Sequence, residues 1–341
     1  MEYLTIDQFL SGNDESPIVD VRTSGEFNKG HIPGAINLQL FSDIERHEIG
    51  LLYKEKGKQK AVKRGLELVG PKLGSFINQL ENVTSAEGVR VHCWRGGMRS
   101  SSMAWLFETA GYQVSVLKDG YKSYRHLMET LFDQFDIALI GGETGSGKTK
   151  ILHQLRKLGE QVIDLEGLAN HKGSAFGAIG QSTQPTSEQF QNEVISGFFQ
   201  LDPSRVVFLE DESSNIGKVG LPNHLWKKMK QSRIIRISLP LEERVKNLVL
   251  EYGKYELQEL EACILKIEKK LGGLSTKKSI EALHENHLDQ VARAVLLYYD
   301  KSYQFLLNRN KSNVHSVISF DKFEVSEMAK QIQKTAYNRV N

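Results

Sequence analysis

The stretch "FDIALIGGETGSGKTKILHQL", residues 135–155, decides the fold of the larger part of this chain of 341 residues. The apolar run "IALI" predicts a buried strand, and Ile151, Leu152 and Leu155 fall on one side of a helix that follows it. Between strand and helix lies the spacing Gly-x-x-x-x-Gly-Lys-Thr, which is a phosphate-binding loop in the context that the motif requires. We therefore predict an α/β domain built around a phosphate site.

Each residue type in this loop has a physical role. The glycines allow the backbone to aim N–H groups at phosphate oxygens, Lys148 neutralises charge, and the Thr149 hydroxyl can hold Mg²⁺ without a cage of protein ligands. The predicted phosphate-binding residues are Gly142, Thr144, Gly145, Ser146, Gly147, Lys148 and Thr149.

Acids and arginines further along the chain are candidates for the same site. The apolar run in "SRVVFLEDES", residues 204–213, ends in Glu210 and Asp211, either of which could hold the water shell of Mg²⁺. Glu212 follows directly, and the sequence does not decide among the three acids. Arg236 and Arg244 come within or after the strand-like "IIRISL", and we expect them to reach the phosphate site.

A second reactive loop lies in "VHCWRGGMRSSS", residues 91–102. "GVRVHC" predicts a buried strand, and "SSMAWLFETAG" predicts a helix that begins near Ser100. Cys93 would then lie at a helix N-terminus with Arg95 and Arg99 beside it, a setting that favours the thiolate and binds oxyanions. The alternative is that Cys93 is a small buried hydrophobic residue. Cys263 has no such surroundings, and we expect it to pack within a helix.

Composition limits the class of protein. Hydrophobic residues make up 40% and charged residues 25%, as in soluble globular proteins. No apolar run reaches the roughly 20 residues of a membrane helix, so we predict a cytoplasmic protein without a membrane partner. Two cysteines in dissimilar surroundings argue against a structural disulfide. The net charge of +2 does not by itself indicate nucleic-acid binding.

The distribution of charge says more than the total. "KEKGKQKAVKR", residues 54–64, contains six bases and one acid. Such a run is either a solvated helix face or a surface for a phosphate backbone. The bases that we consider for the second role include Lys58, Lys60, Lys63 and Arg64.

The first part of the chain resembles a rhodanese domain. The resemblance covers roughly residues 4–126 and is carried by "IVDVRTSGEFNKGHIPGAINL" and "HCWRGGMRSSSMAWLFETAGYQVSVLKDGYKSYR", with the basic stretch inserted between them. It implies a parallel-sheet fold in which Cys93 carries sulfur or selenium, while Asp20 and Arg22 tie the sheet to the active loop. We therefore predict three regions: a rhodanese-like domain at 1–130, a P-loop α/β domain at 131–240, and a mainly helical region at 241–341. The helical region is expected to complete the P-loop half and is a candidate for contacting tRNA.

The two parts together resemble the tRNA 2-selenouridine synthase family over essentially the whole chain. The likeness is carried by "CWRGGMRSSSMAWLFETAGY", "GGETGSGKT", "LANHKGSAFG" and "FLEDES". It implies a transferase that replaces sulfur by selenium at C2 of a wobble 2-thiouridine in tRNA, with selenophosphate as donor. It also implies a related step in which geranyl diphosphate first alkylates the sulfur. An enzyme that supplies selenophosphate is an expected partner.

The resemblance leaves the ligand of the P-loop open. Such loops mostly bind nucleoside triphosphates, but neither step formally needs ATP, so we predict that residues 142–149 hold the diphosphate of the geranyl donor, with Mg²⁺ assisting its departure. The long polar segment "LANHKGSAFGAIGQSTQPTSEQF" is either a plain surface loop or a contact for the donor or the tRNA. Its candidate residues are Asn170, His171, Lys172 and Ser174.

Other interpretations remain. His92 and Cys93, followed by five residues and Arg99, also fit the signature of cysteine phosphatases, some of which have a rhodanese-like fold. A tRNA sulfurtransferase and a regulatory module with an inactive rhodanese fold are further alternatives. In the helical region, Tyr298, Tyr299 and Tyr303 are predicted to pack a core rather than stack on bases.

Overall fold

The computed structural model describes residues 1–12, 16–309 and 314–338, and leaves out the side chains of 302–309. The chain forms two compact units, Met1–Thr130 and Leu131–Asn341. Each unit contains a parallel β-sheet with helices, which confirms the predicted α/β fold class. Within the described ranges, none of the helices is long and apolar enough to cross a membrane.

The first unit is built on a five-stranded parallel sheet with the order β1-β5-β4-β2-β3. Its strands are β1 (Glu2–Leu4), β2 (Ile18–Asp20), β3 (Ile36–Asn37), β4 (Gly88–His92) and β5 (Gln113–Leu117). Its helices are α1 (Ile6–Ser11), α2 (Ser24–Lys29), α3 (Asp43–Val69), α4 (Leu73–Glu81), α5 (Met98–Thr109) and α6 (Gly120–His126), with 3₁₀ turns at Gly70–Lys72 and Leu127–Glu129. Strand β1 adds an edge that the sequence analysis did not predict.

The basic stretch lies in α3, which folds back on itself. Gly57 has φ +82° and ψ 173°, which breaks the helix into two arms. Arg64 donates to Glu48 at 2.6 Å, so the second arm runs back along the first. We call this element the α3 hairpin, with Gly57 at its tip. Glycine suits the tip because a side chain would disfavour the positive φ.

The second unit has a parallel sheet with the order β12-β11-β6-β8-β7. Its strands are β6 (Ile137–Gly142), β7 (Gln161–Val162), β8 (Val207–Glu210), β11 (Arg233–Ser238) and β12 (Val314–Ser319), and a separate antiparallel pair joins β9 (Asn215–Ile216) to β10 (Val219–Gly220). The helices that follow the strands are α7 (Lys148–Lys157), α8 (Leu165–Leu168), α9 (Ser187–Phe199) and α10 (Asn223–Met229). A 3₁₀ turn covers Leu131–Gln134.

The region after residue 240 contributes both helices and a strand. Its helices are α11 (Leu241–Tyr252), α12 (Leu257–Lys266), α13 (Glu268–Leu271), α14 (Gly273–His284), α15 (Leu288–Arg309) and α16 (Val325–Tyr337). Strand β12, which the helical pattern did not predict, pairs with β11 at the edge of the sheet. Tyr298 and Tyr299 are partly buried against an apolar cluster, while the side chain of Tyr303 lies outside the described residues.

Candidate active site

Cys93 directly follows β4 and lies ahead of α5, which begins at Met98 and so slightly earlier than the sequence suggested. Its side chain is only 3% exposed, but it lines a cavity of about 1260 Å³ that also receives Arg95 and Arg99. Its Sγ lies 3.2 Å from the Ser100 Oγ. The thiol is therefore buried beside a hydroxyl partner and faces an open space.

The first residues of α6 contact the backbone of the Cys93 loop. The Tyr121 N–H donates to the Cys93 carbonyl at 2.8 Å. Gly120 has φ +61°, and a Cβ there would lie 2.3 Å from the same carbonyl oxygen. Only glycine fits this close approach, because real Cβ contacts are never that short.

A buried ion pair between Asp20, at the end of β2, and Arg22 packs against Tyr121. Arg22 donates to the Asp20 carboxylate, with its Nη2 at 2.6 Å from Oδ2, and also to the Gly30 carbonyl at 2.7 Å. Its guanidinium lies 3.8 Å from the Tyr121 ring centroid, within the range of a cation–π contact. Burial would raise the pKa of Asp20, but His92 and Arg22 outweigh it and lower that pKa. These contacts give Asp20 and Arg22 a supporting position below the loop.

The arginines of the Cys93 loop differ in their partners. Arg99 donates to Glu26 through Nη1 at 2.6 Å and is mostly buried. Burial would raise the pKa of Glu26, but the hydrogen bond and charge of Arg99 lower it overall. Arg95 is exposed and has no ion pair within the described chain. An incoming anion would therefore meet one free guanidinium and one that Glu26 already holds.

His92, next to the thiol, is fully buried. Burial lowers the pKa of His92, and the Asp20 charge only partly offsets this effect. At neutral pH the imidazole is therefore uncharged and cannot supply the positive charge near Cys93. The positive groups beside the thiol are instead Arg95, Arg99 and the N-terminus of α5.

The phosphate loop of the second unit connects β6 to α7. Gly145 has φ +81° and Gly147 has φ +79°, so both occupy the left-handed region that glycine tolerates. The Lys148 Nζ donates to the Gly142 carbonyl at 3.0 Å, and so the amine is folded over the loop. The Thr149 hydroxyl donates to Glu166 at 2.7 Å.

Other residues of the loop have distinct surroundings. The Ser146 hydroxyl is buried and has no hydrogen-bond partner in the described part of the chain. A Cβ on Gly147 would lie 2.2 Å from the Phe323 ring, so this glycine is also needed for packing. The Thr144 carbonyl accepts from Arg244 at 3.3 Å.

Carboxyl groups gather around Lys148. Burial raises the pKa of Glu166 and of Asp211, and the positive charge of Lys148 opposes the rise in both. Burial and the Glu166 charge raise the pKa of Glu212 to about 7. Glu210 is fully buried, accepts from the Leu165 N–H at 3.2 Å, and has its pKa raised well above normal by burial and by neighbouring acids. The charge of Lys148 therefore acts to lower the pKa values of three acids, Glu166, Asp211 and Glu212.

These groups fit Mg²⁺ bound mainly by phosphate and water. Within the described residues, no group of three His, Cys, Asp or Glu side chains could hold a metal ion by itself. The Thr149 hydroxyl and the neighbouring carboxylates offer the oxygen ligands that Mg²⁺ prefers when it keeps several waters.

The arginines predicted to reach this site do so through the loop. Arg236 pairs with Glu143 of the loop at 2.9 Å. Arg244 is buried and pairs with Asp300 at 2.8 Å while it contacts the Thr144 carbonyl. Both arginines therefore hold loop residues.

The polar segment after α8 lies over the carboxyl groups. Gly173 has φ +67°, and a Cβ there would lie 2.8 Å from Glu166 and 3.0 Å from Glu212. The four predicted contact residues have different partners. Lys172 pairs with Glu251 at 2.5 Å, and the Ser174 hydroxyl accepts from the Phe176 N–H at 3.2 Å.

Among the described residues, the remaining two predicted contacts, Asn170 and His171, bond to parts of the second unit other than the phosphate loop. Asn170 has φ +49° and donates to the Thr183 carbonyl at 3.1 Å. Burial, with a smaller effect from Lys266, lowers the pKa of His171. Its Nδ1 is buried and has no partner among the described atoms.

The predicted basic residues lie at and near the tip of the α3 hairpin. Lys58, Lys60 and Lys63 are exposed and form no ion pair with any described residue. Arg64 is different, because it pairs with Glu48 at 2.6 Å and with Glu67 at 3.2 Å. These three lysines thus present free ammonium groups on the hairpin, and Arg64 stabilises the pairing of its arms.

Sequence reasoning missed three contributors to these sites. Glu166 follows the short strand β7 in "QVIDLEG", and an acid after an apolar run was the available signal. Ser100 directly follows Arg99, but no local pattern indicates that its hydroxyl contacts Cys93. Glu26 lies 73 residues before Arg99, a separation that only the fold closes.

Comparison with known proteins agrees with this geometry. The sequence profile of the tRNA 2-selenouridine synthase AAA domain matches residues 135–336, and that of the rhodanese-like domain matches residues 5–127. The chain belongs to the tRNA 2-selenouridine synthase family. This confirms the resemblance predicted from the motifs.

Relatives extend over nearly the whole chain. The tRNA 2-selenouridine synthase of Sulfurovum sp. (strain NBC37-1) is 33% identical and covers 88% of this chain and 91% of its own. The enzyme of that name from Hydrogenovibrio crunogenus is 34% identical, with 89% and 93% covered. The one from Shewanella frigidimarina is 32% identical, with 88% and 91% covered.

Proposed function

We propose that this protein converts 2-thiouridine at the tRNA wobble position to 2-selenouridine, through an S-geranyl intermediate. The support is the combination, in one chain of this family, of a cavity with Cys93 on its lining and a phosphate loop with Lys148 and Thr149 among carboxyl groups. The first arrangement suits a nucleophile and the second suits a diphosphate.

The geranyl step requires a diphosphate leaving group. The base sulfur attacks C1 of geranyl diphosphate, the C1–S bond forms, the C1–O bond breaks, and diphosphate departs. Lys148 and the loop N–H groups would hold the diphosphate oxygens. Mg²⁺ bound beside Thr149 would neutralise charge on the departing group. Glu166, Asp211 and Glu212 would orient the water shell of the ion.

In the selenium step, Cys93 would release selenium from selenophosphate by taking up the phosphoryl group. This donor holds selenium as selenide, so the atoms balance when the Cys93 thiolate attacks phosphorus, the S–P bond forms, and the P–Se bond breaks to release HSe⁻. Arg95 and Arg99 would steady the phosphoryl oxygens. Water then hydrolyses the phosphocysteine to inorganic phosphate. A perselenide on Cys93 would instead need an added oxidant.

The released HSe⁻ completes the exchange at carbon. It attacks C2 of the S-geranyl base, the C2–S bond breaks, and geranyl thiol leaves after taking the proton. Alkylation helps because a neutral thioether sulfur departs more readily than the sulfur of the free thiouridine. The tRNA backbone would contact Lys58, Lys60 and Lys63 on the α3 hairpin.

A time course with purified protein tests this proposal. The full chain is incubated with 2-thiouridine tRNA, geranyl diphosphate, Mg²⁺ and selenophosphate, and nucleosides are measured by mass spectrometry. We expect S-geranyl-2-thiouridine to rise first and 2-selenouridine to follow. Without selenophosphate, the geranyl nucleoside should accumulate. Selenouridine formed at the full rate without geranyl diphosphate would exclude the geranyl route.

Separate assays address the alternatives. A cysteine phosphatase would hydrolyse p-nitrophenyl phosphate with Cys93 turnover, and a sulfurtransferase would use a persulfide donor on unthiolated tRNA. Direct binding of geranyl diphosphate and of ATP would establish which of them the P-loop holds. Loss of ATP affinity alone in Lys148→Ala, with geranyl transfer intact, would contradict our assignment of the loop.

A further inference from the structure

The cavity in front of Cys93 is larger and more apolar than selenophosphate requires. Its volume is about 1260 Å³, whereas a cavity of roughly 150 Å³ already accommodates benzene. Both arms of the α3 hairpin and the first turns of α5 contribute its walls. The apolar residues that matter for the argument are Ile49, Tyr53, Leu66, Met98, Trp105 and Leu106.

Several of these side chains remain exposed although they are large and apolar. Tyr53, Leu66, Met98 and Trp105 are between 53% and 68% exposed. A concentration of exposed apolar side chains around one concave site is typical of a ligand-binding site. Each methylene that a ligand buried here would strengthen binding about fourfold.

The position of the reactive groups narrows the choice of ligand. Cys93, Arg95 and Arg99 line the same cavity. Because Glu26 already pairs with Arg99, an occupant would bring a reacting centre to the thiol and an anion to the free guanidinium of Arg95. The same hairpin that walls the cavity carries the exposed Lys58 and Lys60 near its tip. The occupant is therefore a hydrocarbon chain attached to a polyanion, rather than a free lipid.

We propose that this cavity binds the isoprenoid chain carried on the 2-sulfur of the substrate base, and so places C2 at Cys93 for the selenium step. The inference rests on the proposed function, which requires an S-geranyl base at this thiol. It adds the binding site of the chain, which lies in the first unit and is distinct from the phosphate loop that holds the donor's diphosphate.

Binding without turnover tests the inference. Trp94 and Trp105 both line the cavity, so their fluorescence reports ligand entry. The probes are the S-geranyl-2-thiouridine and S-methyl-2-thiouridine nucleosides, which share the base and differ in chain length. We expect the wild-type chain to bind the geranyl nucleoside at least 100-fold more tightly. Equal affinities for the two probes would overturn the inference.

Matched variants locate the binding site of the isoprenoid chain. Leu66→Glu places a charge on the cavity lining and should weaken geranyl-nucleoside binding more than tenfold. Ile44→Glu is the control, because Ile44 is 82% exposed on the same hairpin but lies outside the cavity. Met98→Glu repeats the test from α5 in case Leu66→Glu fails to fold by circular dichroism. Unchanged geranyl binding in folded Leu66→Glu and Met98→Glu would refute the assignment.

The same variants separate this inference from its alternatives. If Leu66→Glu converts a dimer to a monomer in sedimentation without changing geranyl binding, the apolar surface is an interface between copies, and the inference is wrong. If the geranyl nucleoside binds with the expected chain-length dependence but tRNA is never selenated, the proposed function fails and the cavity assignment stands. If tRNA is selenated while both nucleosides bind equally, the cavity assignment alone fails.

Discussion

In the first unit, Cys93 lies on the lining of a mainly apolar cavity, and its support is a buried ion pair beneath the loop. In the second unit, Lys148 and Thr149 lie among buried carboxyl groups whose pKa values are raised. Under our proposals the first site would hold a neutral hydrocarbon chain beside one nucleophile, and the second concentrates charge that a metal and a diphosphate would balance. We therefore propose that the two units serve different chemical steps.

The largest expected effect concerns the support of the first site. Arg22→Met removes one partner of a buried ion pair, leaves Asp20 uncompensated, and should lower the free energy of unfolding by about 3–5 kcal/mol. Urea unfolding of the full chain, followed by Trp fluorescence, measures this change. Arg64→Met is the control, since its ion pairs are partly exposed and should contribute about 0–1 kcal/mol. If the free energy of unfolding fell equally in the two variants, the Asp20–Arg22 pair would contribute no more to stability than a surface ion pair.

The second expected effect concerns the charge balance of the second site. Lys148→Ala removes a charge-assisted contact to phosphate and should weaken binding of geranyl diphosphate by about 10- to 100-fold. Isothermal titration calorimetry with Mg²⁺ present measures the affinity. Lys150→Ala is the control, because Lys150 is exposed in the same helix. If Lys150→Ala lost as much affinity as Lys148→Ala, the loss would be caused by the change in net charge rather than by a contact of the phosphate loop.

The third effect is a pH dependence that the raised pKa of Glu212 gives to the second site. The folded-state pKa of Glu212, about 7, lies above its usual 4.5, so the folded chain binds more protons between these values. Stability should therefore fall as pH rises from about 4.5 to 7, and Glu212→Gln should flatten this slope, by roughly 1–3 kcal/mol over the window. Thermal unfolding across this pH range measures it. The exposed Glu268→Gln serves as control, and an unchanged slope in Glu212→Gln would contradict the assignment.

The smallest effect concerns Arg99. Glu26→Gln should leave stability within about 1 kcal/mol and tighten binding of inorganic phosphate severalfold, because Arg99 no longer pairs with a carboxylate. Calorimetric titration with phosphate measures the affinity. Glu67→Gln, which removes one of the two carboxylate partners of Arg64 away from the cavity, is the control. Weaker phosphate binding in Glu26→Gln would mean that Glu26 orients Arg99 rather than competing for it.

Local patterns predicted much of the fold. The apolar runs before Gly142 and Cys93 formed β6 and β4, and helices followed both loops as their spacing required. The strands β1 and β12 were missed because they are edge strands without a distinct apolar pattern. Edge pairing depends on the rest of the sheet, which no local window contains.

The candidate sites were predictable only where their residues are close in sequence. Cys93 and Lys148 were found because each lies in a loop with fixed spacing. The pairing of Glu26 with Arg99 was not, since it depends on how α2 packs near α5. The hairpin at Gly57 was also missed, because its basic residues obscured the apolar positions that line the cavity.

The central claim is that the two sites perform successive steps on one base, and nucleoside mass spectrometry of two variants tests it most directly. With all co-substrates present, Cys93→Ser should accumulate S-geranyl-2-thiouridine and form no 2-selenouridine, whereas Lys148→Ala should form neither; Cys263→Ser is the control for cysteine loss. 2-Selenouridine formed by Cys93→Ser at the wild-type rate would contradict the account.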